Sequence, residues 1–277
     1  LLFRVLMKVR GQEGAIQAGE YEFTRALSPV EVLHKLVDGD VLRHKLTVPE
    51  GLRLDEIADL VDQNGFGSRE GFLQATRRTD LIADIDPDAE DLEGYLFPDT
   101  YFFPRGVSED EIVEEMVKRF RRELTPPRLA QMREHGLNLR GTLTLASLVE
   151  KEAQRDDERP RIAAVFYNRL KRGMLLQCDP TVVYALIRDD RYRGAIYRSD
   201  LSYDSPYNTY VHAGLPPGPL CSPGLRSLEA VLQPAVTKDL YFVVSGPGRH
   251  EFSTNARDHE RAVRRYRREM SQLKAVP

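Results

Sequence analysis

Apolar residues recur at helical spacing in several stretches of the chain, and two of these stretches open with a capping sequence. Residues 28–31 read SPVE, a capping box with proline at the first helical position, and Gly39 stands where a helix would stop. Residues 108–111 read SEDE and open a longer helix. One face of that helix is apolar and carries Ile112, Val113, Met116, Val117, Phe120 and Leu124. Both stretches are therefore predicted to be amphipathic helices.

The N-terminal third mixes strand and helix patterns. GQEGAIQAGEYEF at residues 11–23 is punctuated by glycine and predicts a hairpin. VLRHKLTVPEG at residues 41–51 predicts a strand that ends in a turn, and TYFFP at residues 100–104 predicts a second strand. Between them the periodicity predicts two short helices, over residues 54–64 and 69–77. Residues 41–104 are thus expected to form a compact unit of order strand, helix, helix, strand.

Beyond Gly141 the pattern alternates helices with long loops rich in proline and glycine. The longest loop reads SYDSPYNTYVHAGLPPGPLCSPG at residues 202–224, and a loop of that length in a compact domain usually has a function. LYFVVS and HEFST predict a late strand pair, followed by a helix from about Asn255. The fold class predicted is α+β. The expected units are an N-terminal hairpin and helix region (1–40), the small unit (41–104) and a helix-rich catalytic domain (105–277).

Composition excludes several functional classes. The 277 residues include 40 basic and 43 acidic side chains, for a net charge of -3, so a nucleic-acid partner is not expected. The arginine run at residues 261–268 alternates with apolar residues and indicates a solvated helix face. Two cysteines and six histidines show no metal-ligand spacing, and no dinucleotide or phosphate-binding motif occurs. No metal or cofactor is therefore predicted.

The stretch LASLVEKEA, residues 145–153, places two glutamates at the end of an apolar run. On a helix with about 100° per residue, Leu145, Leu148 and Val149 form one stripe, and Glu152 completes it. Glu150 lies about 200° round the helix from Glu152. A carboxyl in apolar surroundings favours its neutral form, which a general acid requires. Glu152 is thus a candidate acid, with Glu150 as second choice.

Periodicity alone leaves a structural alternative open for both glutamates. Glu152 could simply end the helix and reach solvent, or pair with Arg155 or Arg159. Glu150 is flanked by small residues and could line a groove. The stripe therefore does not decide between structural and catalytic roles.

Other candidate ligand-binding residues lie in the loops, and each also has a structural interpretation. Glu93 sits in the aromatic stretch DLEGYLFPDTY, which suits sugar stacking but also suits core packing. Asp179 precedes Pro180, as a helix cap would. Polar groups that could bind a ligand or stabilise turns and helix starts are also supplied by Gln177, Tyr207, Asn208, Thr209, Ser222 and Asn255.

Five motifs in order resemble the YceG-like family of endolytic murein transglycosylases. They are LEGYLFPDTY, LASLVEKEA, FYNRLKRGMLLQCDPTVVYAL, SPYNTYVHAGLPPGPLCSPG and HEFSTNARDHERAV. The resemblance runs from about Val41 to the C-terminus and makes the unit at 41–104 similar to the family's LysM-like subdomain, of βααβ order. The sequence departs from the family pattern at Cys178, where a small polar residue is common, and at Ser222, where asparagine is frequent.

The resemblance implies an enzyme that cuts peptidoglycan strands between N-acetylmuramic acid and N-acetylglucosamine and leaves a 1,6-anhydromuramoyl end. The family's catalytic glutamate corresponds to Glu152. The expected substrate contacts are Glu93, Glu150, Gln177, Asp179, Tyr207, Asn208, Thr209, Ser222 and Asn255. The resemblance also implies a bacterial inner-membrane protein with one transmembrane helix before Leu1, a periplasmic body, and peptidoglycan synthases (penicillin-binding proteins) as partners.

Two other functions fit the sequence. A hydrolase would use Glu152 together with Glu93 or Glu150 and a water molecule. A peptidoglycan-binding scaffold would use the LysM-like unit to recruit synthases without cutting. The acid on the apolar stripe favours an enzyme over a scaffold, because a binder gains nothing from it.

Overall fold

The structure, a computed structural model, describes residues 2–12 and 14–274. The first two helices are α1 (Leu2–Val9) and α2 (Pro29–Asp38). The predicted capping box forms at the start of α2: Ser28 Oγ accepts from the Glu31 amide, and the Glu31 carboxylate accepts from the Ser28 amide. Gly39 ends α2 with a φ of 67°, a left-handed conformation that glycine adopts without strain.

The hairpin predicted at residues 11–23 is wrong for the residues described there, since none of residues 11, 12 and 14–27 lies in a strand. This segment instead makes single backbone contacts, from the Gln17 amide to the Leu36 carbonyl and from the Leu42 amide to the Glu20 carbonyl. Its side chains are exposed or only partly buried. An isolated two-stranded hairpin is only marginally stable in water unless it can bury an apolar face, and this glycine-containing segment has no such face.

The order strand, helix, helix, strand predicted for residues 41–104 is found. It consists of β1 (His44–Thr47), α3 (Leu54–Gln63), α4 (Arg69–Ala75) and β2 (Thr100–Phe103). The two strands pair antiparallel, with Leu46 opposite Tyr101. The helix α5 (Glu109–Glu123) packs its predicted apolar face against the same core. The core therefore continues across the boundary expected at residue 104.

The helix α7 (Leu139–Glu152) lies at the centre of the molecule, after α6 (Pro126–Glu134). Its first half packs in the N-terminal core through Leu139 and Leu143. Its second half packs in a second core with α8 (Arg159–Lys171) and α10 (Leu225–Leu232). Residues 142–149 are all buried, so α7 is enclosed on every side rather than along one stripe. Its C-terminal end, which carries Glu152, is held rigidly by this packing.

The C-terminal part completes the α+β fold that the pattern predicts. The helix α9 (Asp179–Arg188) precedes the long loop, and the strands β3 (Tyr241–Gly246) and β4 (Arg249–Ser253) form an antiparallel pair before α11 (Ala256–Lys274). Three short 3-10 turns lie at residues 79–81, 156–158 and 200–202. None of the helices described between residues 2 and 274 is long and apolar enough to cross a membrane.

Candidate active site

A cleft of about 510 Å³ opens beside the last residue of α7, Glu152. Its walls come from α7, α8, the start of α9, both strands of the C-terminal pair and α11. The side chains on these walls include Phe166, Arg169, Leu176, Gln177, Cys178, Asp179, Tyr210, Tyr241, Phe242, His250 and His259. Five elements other than α7 thus converge on the carboxyl group that α7 carries.

The Glu152 carboxyl lies in surroundings that favour its protonated form. Burial raises its pKa above the ordinary value of 4.5, and the negative charge of Asp179 acts in the same direction. A hydrogen bond from Cys178 Sγ to Glu152 Oε1, at 3.2 Å, lowers the pKa, as do the nearby charges of His250 and Arg169. Burial prevails, so the pKa of Glu152 lies above its ordinary value, and the thiol orients one of the two carboxyl oxygens.

Cys178 is positioned by the long loop. Its backbone amide donates to Thr209 Oγ1 at 3.0 Å, and Thr209 Oγ1 also contacts Thr181 Oγ1 at 2.9 Å. Burial raises the pKa of the Cys178 thiol well above its ordinary value, so the group stays protonated and remains a donor. Both cysteines, Cys178 and Cys221, are free and buried.

Of the predicted substrate contacts, Gln177 and Asp179 line the cleft with Glu152. Gln177 has a φ of 48°, a conformation that costs energy for a non-glycine residue and is often found at functional sites. Asp179 is not the predicted cap, because α9 begins at Asp179 itself and Cys178 occupies the cap position. The Asp179 carboxylate instead accepts a hydrogen bond from the Tyr210 hydroxyl at 2.5 Å. Its carboxylate therefore lines the cleft together with Tyr210.

Asn208 and Thr209 support the cleft from behind. Both are buried. The Asn208 amide donates to the carbonyls of Leu201 and Tyr203, and its Oδ1 accepts from the Tyr210 amide at 2.9 Å. These bonds hold the loop in the conformation that directs Tyr210 into the cleft.

Glu150 lies outside the cleft and joins three helices. Its side chain is only 7% exposed and pairs with Arg159 on α8 at 3.1 Å. Its second oxygen accepts from the Gly224 amide at 2.9 Å, at the start of α10. Arg159 also donates to Ser227 Oγ. The groove that the small neighbours of Glu150 suggested is absent here, because Ala146 and Ser147 are buried in the core.

Glu93 and Tyr207 face a different part of the surface. Both line a small cavity of about 60 Å³, separate from the cleft. Glu93 is 7% exposed, its Oε2 accepts from the Leu54 amide at 3.3 Å, and its Oε1 has no hydrogen-bond partner among the described residues. Burial raises the pKa of Glu93 to about 8. The Tyr207 ring lies 4.8 Å from that of Tyr184.

Ser222 and Asn255 make structural contacts. Ser222 is buried and is not the cap of α10, since Gly224 occupies that position. Its backbone amide and carbonyl bond to Leu52 and Gly51, which ties the loop to the N-terminal unit. Asn255 caps α11 as predicted, its Oδ1 accepting from the Asp258 amide at 3.0 Å.

Several polar residues that border the cleft are not among the predicted substrate contacts. His250 is one of them, and Glu158 Oε2 lies 2.8 Å from its Nδ1. Arg169, Tyr210 and Tyr241 also line the cleft. The Arg169 guanidinium donates to three backbone carbonyls. Tyr210 belongs to the polar YNTY stretch, and Arg169 and His250 belong to two of the five motifs.

No group of three or more histidine, cysteine, aspartate or glutamate side chains is arranged to hold a metal ion within the part of the chain that the structure describes. The cleft presents carboxyl, thiol, imidazole and phenol groups around Glu152. Such a set suits proton transfer to and from a bound substrate.

Comparison with known proteins decides the family. The model of the YceG-like family matches residues 1–265. The chain belongs to the YceG-like family. The prediction made from the five sequence motifs is thereby confirmed.

Two curated members of this family illustrate the relationship. The endolytic murein transglycosylase of Bacillus subtilis is 33% identical over 95% of this chain and 76% of its own length. The one from Streptococcus pneumoniae strain D39 is 32% identical over 90% of this chain, which spans 50% of that protein. The names of these relatives confirm the expectation that the YceG-like chain is an enzyme.

A solved YceG-like structure supports the fold. The crystal structure of a protein described as YceG-like from Listeria monocytogenes superposes with a TM-score of 0.70 at 33% identity. The match covers 94% of this chain and 88% of that chain. The α+β fold class predicted for this YceG-like chain is thus confirmed.

Proposed function

We propose that the protein is an endolytic lytic transglycosylase that cuts peptidoglycan glycan strands, with Glu152 as acid and then base. The observation that carries this proposal is the position of the Glu152 carboxyl in the cleft: it is buried enough for its pKa to be raised, and it borders open space. The names of the bacterial relatives support the same substrate and reaction class.

In the first step Glu152 gives its proton to the glycosidic oxygen between N-acetylmuramic acid and N-acetylglucosamine. Because Glu152 Oε1 accepts the hydrogen bond from Cys178 Sγ, the proton is carried on Oε2. The bond from C1 of the muramic acid to that oxygen breaks, and the N-acetylglucosamine end leaves as an alcohol. The muramic acid ring acquires positive charge, and the Glu152 carboxylate that remains stabilises it.

In the second step the C6 hydroxyl of the same muramic acid attacks C1. Its proton passes to the Glu152 carboxylate, which restores the neutral acid and leaves a 1,6-anhydro end. No water molecule is consumed, so one carboxyl group suffices for both proton transfers. Attack within one sugar ring also removes the need to position a second reactant.

A hydrolase is the second candidate, and one observation favours it. Asp179 lines the same cleft as Glu152, whereas Glu93 and Glu150, the partners first considered, do not. A second carboxylate beside the acid could orient an attacking water. The hydrolytic alternative would therefore use Glu152 with Asp179.

The product ends of digested glycan strands distinguish these functions. Purified uncross-linked strands are incubated with the protein, and the fragments are identified by mass spectrometry. Anhydromuramoyl ends support the transglycosylase, whereas reducing ends would replace it with the hydrolase. If no fragments form and the strands bind, the protein is a scaffold. Glu152→Gln should lower the rate by about 10² to 10⁴-fold, the usual contribution of a positioned acid and base.

The proposed function also assigns a location and partners. As in the sequence-based expectation, the enzyme would act on the outer side of the bacterial inner membrane, held there by a transmembrane helix ahead of Leu1. It would trim or terminate new glycan strands beside peptidoglycan synthases. The LysM-like unit at residues 41–104 would contact the glycan.

A further inference from the structure

An apolar groove of about 290 Å³ runs along the exposed face of α9. Its floor is made of Pro180, Val183, Tyr184, Ile187 and Leu220. The α9 residues at 180, 183, 184 and 187 are three to four positions apart and so share one side of the helix. None of these five side chains is required by the two proton transfers proposed for Glu152.

The groove adjoins the cleft at one end and a hollow beside the N-terminal unit at the other. Asp179 lines both the cleft and the groove. Arg53, Tyr184 and Ile187 line both the groove and a further hollow of about 370 Å³ beside α3 and α4. A ligand bound at Glu152 can therefore extend along α9 without leaving the surface.

Lys151 is the positively charged residue of the groove that a ligand could bind. It directly precedes Glu152 on α7, is exposed, and forms no ion pair with any carboxylate among the described residues. Arg53, the other cation, is already paired with Asp55 at 2.8 Å and Glu56 at 3.0 Å. Asp179 is the acid of this groove and lies at its cleft end. The groove thus offers one uncompensated ammonium group beside an apolar floor.

We propose that this groove binds the stem peptide of the muramic acid whose bond is cut. The inference rests on the proposed function and extends it to the peptide part of the substrate. A stem peptide is short, rich in alanine methyl groups and bears free carboxylates, so its methyl groups match the apolar floor and a carboxylate pairs with Lys151. It is attached to the sugar at the scissile bond and therefore starts beside Asp179.

The dimensions agree with this occupant. From Asp179 to Ile187 the helix rises about 12 Å, and four extended peptide residues span about 13 Å. A further sugar ring fits less well, because sugars need hydrogen-bond partners for their hydroxyl groups, and Pro180, Val183, Ile187 and Leu220 offer none from their side chains. The floor is suited to methyl groups.

The test compares glycan strands that carry uncross-linked stem peptides with the same strands stripped by an amidase. For the wild-type protein, kcat/KM should be at least about tenfold higher on the peptide-bearing strands. Lys151→Gln should lower kcat/KM about fivefold on these strands, as expected for one exposed charge contact, and leave it unchanged on stripped strands. Val183→Asp should lower it on peptide-bearing strands alone. Lys171→Gln, which removes an exposed charge at the end of α8, is the control and should change neither value.

Three outcomes would overturn the groove assignment while leaving the proposed function standing. They are equal wild-type rates on both kinds of strand, an equal loss on both strands for Lys151→Gln, and an effect of Lys171→Gln as large as that of Lys151→Gln. Failure of the proposed function looks different, because the wild-type protein would then release no anhydro ends from either strand. In that event the groove is judged by calorimetric titration with a soluble muramoyl tetrapeptide. Binding that Lys151→Gln weakens about fivefold supports the groove, and no binding to the wild-type protein refutes it.

Discussion

Replacement of Glu93 by glutamine should stabilise the protein at alkaline pH and leave it nearly unchanged at acidic pH. The Glu93 carboxyl is buried and accepts long hydrogen bonds at Oε2 from the Leu54 amide and the Tyr184 hydroxyl, and its Oε1 has no partner among the described residues. Burial raises its pKa from 4.5 to about 8. Glutamine has the shape of the neutral acid, and its carbonyl oxygen can still accept from the Leu54 amide.

The sign and size follow from linkage between protonation and folding. The folded protein binds the proton more tightly than the unfolded chain, so the stability associated with the neutral acid is complete below about pH 4.5 and is lost progressively up to about pH 8. With these two pKa values, the free energy of unfolding of the wild-type protein should fall by about 3 kcal/mol between about pH 5.5 and pH 8.5, relative to Glu93→Gln.

Urea unfolding followed by circular dichroism at about pH 5.5 and pH 8.5 measures this difference. Other groups titrate in the same interval, but they do so in both proteins and cancel in the comparison. Glu90→Gln, which removes an exposed carboxylate three residues away, is the control and should show no such pH dependence. If wild-type and Glu93→Gln proteins differ by the same amount at both pH values, Glu93 is not a neutral buried acid in the folded state.

Two further predictions concern the cleft and its support. Cys178→Ala removes the thiol, so it should raise the pKa of Glu152 and move the alkaline limb of the pH–kcat/KM profile to higher pH. Cys178→Ser keeps a hydrogen-bond donor and should keep the wild-type profile. An alkaline limb that does not move in the alanine variant would show that the thiol does not contact the acid. Arg159→Ala should destabilise the fold by about 3–5 kcal/mol, because it leaves Glu150 buried without its partner. The exposed pair of Arg155 with Asp157 provides the control, and Arg155→Ala should cost less than about 1 kcal/mol in the same denaturation assay.

The local elements were largely predictable because short-range chemistry determines them. The capping boxes at Ser28 and Ser108 and the cap at Asn255 each form as the motifs indicate. The cap predicted at Asp179 is wrong, because Cys178 takes the cap position and the Asp179 carboxylate lines the cleft, where it accepts from the Tyr210 hydroxyl. Neighbouring positions at a helix start have similar residue preferences, so a motif does not fix which residue is the cap.

The candidate site was only partly predictable. The apolar stripe drew attention to Glu152 but could not separate it from Glu150, since both belong to one helix and differ only in direction. The tertiary structure separates them: Glu150 pairs with Arg159 and accepts from the Gly224 amide, whereas Glu152 accepts from the Cys178 thiol and borders the cleft. His250 and Arg169 lie within two of the five motifs, but their local pattern does not show which surface their side chains face.

The amino-acid sequence by itself determined the helices, the strand order of residues 41–104, the fold class and, through five ordered motifs, the family. These features depend on periodicity, caps and turn residues, which act over a few positions along the chain. Only the tertiary structure decided which carboxyl groups form ion pairs, which are buried away from any cation, and which share a cleft. Burial and long-range contacts set the pKa of Glu152 and Glu93, and these depend on residues that lie far away in sequence.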